Sequence, residues 1–121
     1  MRIAIPVEKQ DLNSNVNKSF GRAPYILFFN TDTKENYFLD NRAVASHGGA
    51  GDRVAQVIAD HGVRALLVLR CGKNAGEALR KAEVLVYKAI PGTAKDNVKA
   101  FVEEQLALLD EFHDGLSVRE D

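Results

Sequence analysis

The chain is short of the residues that hold metals and close disulfides. It has one cysteine, Cys71, and three histidines, His47, His61 and His113. A single thiol excludes an intramolecular disulfide and any site that draws two or more cysteines from one chain, as zinc fingers do. Long apolar runs are lacking too. None approaches the roughly 20 residues needed to cross a bilayer, and Met1 and Arg2 lead straight into strand-like Ile3, Ala4 and Ile5 instead of a signal-peptide core. These absences predict a cytoplasmic protein with no membrane partner. Neither sign of charge prevails: 16 Lys and Arg against 17 Asp and Glu give a formal net charge of -1. No general attraction to nucleic acid follows, and any anion binding must be local.

Catalytic signatures are missing as well. The first strand, Ile3-Ala4-Ile5-Pro6-Val7, carries no carboxylate, which disfavours a nuclease that holds divalent metal on an acidic cluster. There is no serine nucleophile elbow, no GxGxxG and no Walker P-loop, and a Cys71-His47 dyad would rest on proximity alone. The expectation is a protein that binds without catalysing.

What remains has the size and apolar content of one soluble domain: 121 residues, 45% hydrophobic, enough for a single core. Strands are expected at residues 2–7, 25–30, 36–39, 65–69 and 84–87, from branched, aromatic or continuously apolar runs. Helices are expected where Val54, Ala55, Ile58 and Ala59 recur before Gly62, at residues 75–82, and where Val98, Phe101, Val102, Leu106, Leu109 and Phe112 form a stripe that Gly115 would end. Thr93 and Asp96 resemble a capping box at the start of that last helix. The order β-β-β-α-β-α-β-α, with right-handed crossovers, predicts an α/β protein with a mixed five-stranded sheet, order 3-2-1-4-5 and strand 2 antiparallel. That is the ribonuclease H-like three-layer arrangement with about three helices. One domain over residues 1–115 and a frayed tail over residues 116–121 are expected.

In such a sheet the carboxyl ends of strands 1, 3, 4 and 5 share one rim, where ligands of open α/β sheets bind. The loop at residues 8–19, the entrance Ser19-Phe20-Gly21-Arg22, the bend His47-Gly48-Gly49-Ala50-Gly51 and the exit Arg70-Cys71-Gly72-Lys73 would meet there, with Arg42 nearby. Gly48, Gly49 and Gly51 before a helix can offer successive N–H groups to an anion, or merely let the chain turn. Arg22 can offer its donor fork to a negative group while Gly21 allows close approach; the alternative is a surface charge paired with Asp11. Cys71 is a soft ligand if Arg70, Lys73 and a helix start lower its pKa, and an inert apolar residue otherwise. His47 is a candidate metal ligand or a solvated loop histidine. His61 and His113 read as partners of helix C-termini.

The residues along residues 1–102 resemble the dinitrogenase iron-molybdenum cofactor biosynthesis family, the NifX/NifB-like small domains. The likeness is carried by the opening strand, Phe20-Gly21-Arg22-Ala23-Pro24-Tyr25, Asn41, Gly48-Gly49-Ala50-Gly51, Gly62-Val63, and Gly72 with Asn74-Ala75 before Ala78-Leu79. It implies the ribonuclease H-like fold and a non-catalytic carrier or chaperone, with an anionic iron-sulfur or iron-molybdenum cluster, or its precursor, as cargo. A cluster-delivery protein is the implied partner, and the edge strand at residues 36–39 is a candidate homodimer contact. The chain departs from the family at Ser19, where relatives commonly carry histidine. A hydroxyl donates hydrogen bonds but ligates soft metals poorly, so Cys71 and His47 are the soft candidates left on the rim. Two other readings stay open: a metal-independent module for a small organic or phosphorylated anion, and a protein-interaction regulatory module.

Overall fold

Two central strands with apolar residues on both faces set the architecture. In the computed structural model, which describes residues 1–45 and 50–109, β1 (Arg2–Val7) sends Ile3, Ile5 and Val7 to one face and Ala4 to the other. Its neighbour β2 (Tyr25–Asn30) sends Leu27 and Phe29 to the first face and Ile26 and Phe28 to the second. A strand buried on both faces belongs in the middle of a layered sheet. The remaining elements are β3 (Asn36–Asp40), α1 (Arg42–Ala45), α2 (Ala50–Asp60), β4 (Ala65–Val68), α3 (Lys73–Lys81), β5 (Leu85–Lys88) and α4 (Ala94–Val102). The sheet order is β3-β2-β1-β4-β5. β2 runs antiparallel to β1 and β3, and the β1–β4 and β4–β5 pairs are parallel. This is the expected ribonuclease H-like α/β sheet. Pro6 lies beyond the last β1–β4 pair, and its carbonyl accepts from Asn17 N at 2.9 Å, so the missing proline donor leaves no gap in that ladder.

Helices cover the two faces unequally. Val54, Ala55 and Ile58 of α2 and Ala75 and Leu79 of α3 pack with Ala4, Ile26, Phe28, Leu66 and Val68. On the other face α4 packs Val98 and Phe101 against Ile3, Ile5, Leu27 and Leu67. The capping expectation holds at α4, where Thr93 accepts from Asp96 N at 3.1 Å.

Four expectations need correction. The short helix α1 follows β3 directly, where a plain loop was expected. β5 ends at Lys88 instead of Tyr87, and β4 stops at Val68, short of Leu69. The last helix stops at Val102 and does not run on toward residue 112. Glu104 takes a left-handed φ of 58°, its N–H donates to Phe101 O at 3.0 Å, and Gln105 N donates to Ala100 O at 2.8 Å. That pair of bonds is the Schellman ending, built here on glutamate instead of glycine. The chain then runs along the outer edge of β5: Lys88 N donates to Ala107 O at 2.8 Å and Leu109 N to Val86 O at 2.9 Å. Leu106 packs toward the α4 face and Leu109 toward the α2–α3 face. Their spacing, which suits a helix stripe, here serves an extended strip that caps the sheet edge. Phe112, Gly115 and the tail at residues 116–121 lie outside the described residues.

Candidate functional site at the sheet rim

Val7, Tyr25 and Asp40 stand opposite one another in register, so the exit of β1, the entrance of β2 and the exit of β3 share the rim where β4 and β5 also end. One half of that rim is filled by protein. Ala94 N donates to Ser14 O and Lys95 N to Leu12 O, both at 2.9 Å, and Val16 N donates to Gly92 O at 2.9 Å. These carbonyls take up donors that a helix start leaves without intrahelical partners, so the first turn of α4 is closed to an anion. The Ser14 hydroxyl oxygen accepts from Lys9 N at 2.9 Å and Glu8 N at 3.2 Å, which ties the same loop to itself. Among the described residues no such loop-to-helix pairing is made on the half beside α2 and α3, which forms the open half.

There the entrance to β2 is a turn with buried flanks. Ser19 N donates to Asn17 Oδ1 at 2.8 Å. Phe20 and Ala23 are 4% and 0% exposed and pack in the same cluster as Cys71 and Ala75. Arg22, between them, is exposed. Among the described residues it forms no ion pair, so the pairing with Asp11 is not made. A polar turn whose neighbours are anchored in the core holds its arginine at a defined place on the surface. Phe20 therefore serves as an anchor, and its ring is not turned to a ligand.

Asn41, at the end of β3, braces this turn. Its buried Nδ2 donates to Ala23 O at 2.9 Å and to Gly21 O at 3.3 Å, and its main-chain N donates to Pro24 O at 2.8 Å. The sequence marks Asn41 only as one of the residues that carry the family likeness, and this bracing role was missed. Arg42, grouped with the rim cations, turns back on its own strand. Its Nε donates to Asp40 Oδ1 at 2.9 Å and an Nη to Oδ2 at 2.6 Å, and the guanidinium lies 5.4 Å from the Tyr25 ring centroid. Hydrogen bonds from Arg42 hold the Asp40 carboxyl down to about 2, and the same partner pushes the guanidinium pKa up. That exposed pair competes with a ligand for Arg42 without excluding one.

At the exit of β4, Arg70 is half-buried and Gly72 is the N-cap of α3, with φ -71° and ψ 157° and no side-chain cap bond. Lys73 and Asn74 of the first turn are exposed. Cys71 is 1% exposed, its Sγ 3.5 Å from Gly72 O, and burial pushes the thiol up to about 12. The expected lowering by Arg70, Lys73 and the helix start does not occur, and burial alone, by desolvating the thiolate, raises the thiol. At neutral pH Cys71 is a neutral thiol facing the core.

His47, Gly48 and Gly49 lie outside the described residues. Gly51 falls within the first turn of α2, which begins at Ala50, so the bend ends before it. His61 is remote from the rim and does more than meet a helix end. Its ring stacks on Phe28 at 4.5 Å, Nδ1 lies 2.9 Å from the Tyr37 hydroxyl, and its carbonyl accepts from Arg2 at 2.7 Å. His113 lies outside the described residues. Among the described residues no group of three or more His, Cys, Asp or Glu could hold a metal ion. A cavity of about 780 Å³ exists on the opposite face, floored by Phe29, Phe38 and Val98 between α4 and the β2–β3 hairpin. It shares no residue with the rim turn.

Known proteins share this fold. The apo form of the orange protein from Desulfovibrio gigas superposes with a TM-score of 0.86 at 31% identity, covering 90% of this chain and 92% of that one. A NifB-like protein from Thermotoga superposes with a TM-score of 0.82 at 34% identity, covering 94% and 97%. An uncharacterised protein of Methanocaldococcus jannaschii is 28% identical over 109 residues, 88% of this chain and 89% of that protein. A family model described as dinitrogenase iron-molybdenum cofactor matches residues 1–104, and the chain belongs to that family.

Proposed function

We propose that this protein is a non-catalytic carrier of an anionic iron-sulfur or iron-molybdenum cluster, or a precursor of one, taken up as cargo on the open half of the rim. The observation that carries the reading is the exposed Arg22, on a turn whose anchors Phe20 and Ala23 share a core cluster with Cys71 and Ala75 at the α3 start. A guanidinium fork and the positive end of a helix suit an anion with several acceptor atoms. Family membership gives the cargo its chemical class, and the orange-protein relative was solved in an apo form, the state of a protein that also exists with a bound group.

In this reading Arg22, Arg70 and Lys73 neutralise the cargo, and Gly21, Gly72 and the segment with Gly48, Gly49 and Gly51 allow close backbone approach. The Ser19 hydroxyl donates to the cargo periphery. Cys71 forms the floor as a neutral thiol, and His47 is the remaining candidate for a direct metal bond. Residues 1–115 are the proposed carrier unit, which passes its cargo to a delivery partner. The buried thiol of Cys71 favours one second reading, a module for a small metal-independent anion held by the same Arg22 and α3 start.

The test is anaerobic reconstitution of the purified protein with a synthetic anionic iron-sulfur cluster, followed by metal and sulfide analysis. The carrier reading expects near-stoichiometric uptake, a clear loss in Arg22→Ala, and little loss in Cys71→Ala. No uptake, together with Arg22-dependent binding of phosphate or sulfate, would select the second reading.

A further inference from the structure

We infer that Asn41 is the positioning residue of the rim site, the group that sets the Gly21-Arg22 turn in its anion-facing conformation. The inference rests on the anion-carrier reading of that turn and adds a residue that contacts no cargo. Residues 17–24 form no strand or helix, so few ladder bonds fix their backbone. Three carbonyls of the turn, those of Gly21, Ala23 and Pro24, all accept hydrogen bonds from Asn41. The residue is 1% exposed, and a buried amide with two acceptors at 2.9 and 3.3 Å holds its rotamer firmly.

Stereochemistry makes the consequence directional. No peptide bond described is cis, and in a trans peptide the C=O and N–H point to opposite sides. With the Gly21 carbonyl drawn inward to Asn41, the Arg22 N–H of the same peptide is turned outward, to the side of the exposed guanidinium. The Ala23 carbonyl is drawn inward as well, and its peptide continues into Pro24, which has no N–H to lose.

Asn97 supplies an internal comparison. It is 0% exposed, and its amide donates to Ile90 O at 3.0 Å and Thr93 O at 2.9 Å and accepts from Ile90 N at 2.8 Å. It braces the closed half of the rim. Substituting it should lower stability through the same chemistry without touching the Arg22 turn.

The experiment measures the affinity of the full chain for molybdate, a simple diamagnetic anion, in wild type, Arg22→Ala, Asn41→Asp, Asn41→Ala and Asn97→Asp, well below each unfolding midpoint. The expected result is a loss of about tenfold or more in both Asn41 variants and in Arg22→Ala, with Asn97→Asp within about twofold of wild type. Asn41 variants that bind like wild type while Arg22→Ala does not would overturn the positioning role and leave the carrier reading standing. An equal loss in Asn97→Asp would also overturn it, since the effect would then follow stability alone. Arg22→Ala binding like wild type would overturn the anion reading of the turn and the role of Asn41 with it. Should the Asn41 variants fail to fold, the wild type decides: its Asn41 side-chain amide resonances are expected to shift on saturation with molybdate together with the Arg22 amide. A shift at Arg22 alone contradicts the proposal.

Discussion

At the residue scale, burial decides more of the chemistry than neighbouring charge does. Cys71 follows Arg70 and lies two residues before Lys73, yet its thiol is driven up to about 12 because it faces the apolar cluster of Phe20, Ala23 and Ala75. Charges adjacent in sequence need not share a volume with the group they flank, and of the two readings the sequence leaves open for Cys71, burial favours the inert thiol. The consequence for stability has a definite sign. Unfolded, the thiol ionises near 9 and releases its proton. Folded, it keeps the proton until about 12, so the native state binds more protons across that window and stability falls as pH rises. Three units correspond to roughly 4 kcal/mol at the top of the window. Urea unfolding of wild type and Cys71→Ala from pH 8 to 11 should show the wild type losing stability relative to the variant above pH 9, and a constant difference would contradict the burial of the thiol. Asp40 titrates in the opposite sense. Its carboxyl is held down to about 2 by Arg42, so the pair persists as pH falls through 4 and is lost only as pH approaches 2. Arg42 thereby keeps its exposed partner throughout the neutral range, and salt-dependent anion binding should respond more to Arg22→Ala than to Arg42→Ala.

At the element scale, two helices end on a left-handed glutamate. Glu83 follows α3 with φ 63° and Glu104 follows α4 with φ 58°. Val84 N donates to Leu79 O at 2.9 Å, as Gln105 N does to Ala100 O at 2.8 Å. A side chain in this region costs about 1–2 kcal/mol, partly offset by the extra backbone entropy glycine brings to the unfolded chain. Glu83→Gly and Glu104→Gly should each raise the urea midpoint, by up to about 1 kcal/mol of stability, and a lowered midpoint would contradict the assigned helix ends. Thr93→Ala should lower stability by about 1 kcal/mol through loss of the bond to Asp96 N, read in the same unfolding assay. These endings also explain what was legible in the sequence. β1 and β2 were readable to the residue because their apolar positions serve both faces of the sheet. The end of α4 was not, since nothing in the residue type of Glu104 announces a left-handed turn, and Leu106 and Leu109 keep a helical spacing while lying in an extended edge strip. The short α1 escaped for a similar reason, with four residues too few to show a period.

At the scale of the whole molecule, the sheet order brings chemistry to one rim and then closes half of it. The order could be derived from the succession of elements, and so could the sharing of one core cluster by Phe20 and Cys71. Which half stays open could not, because it depends on Ser14 and Leu12 offering carbonyls to the start of α4, a long-range pairing with no signature in either segment. The central claim is that an anionic cluster sits on the open half, against Arg22 and the α3 start. A paramagnetic iron-sulfur cluster broadens nearby amide resonances, so the most direct measurement is the amide spectrum of the isotopically labelled protein before and after anaerobic loading. The account predicts broadening at residues 19–23 and 70–74, with residues 31–36 of the hairpin and 95–102 of α4 unaffected. Broadening confined to the cavity between α4 and the hairpin, or none at the rim of a loaded protein, would contradict it.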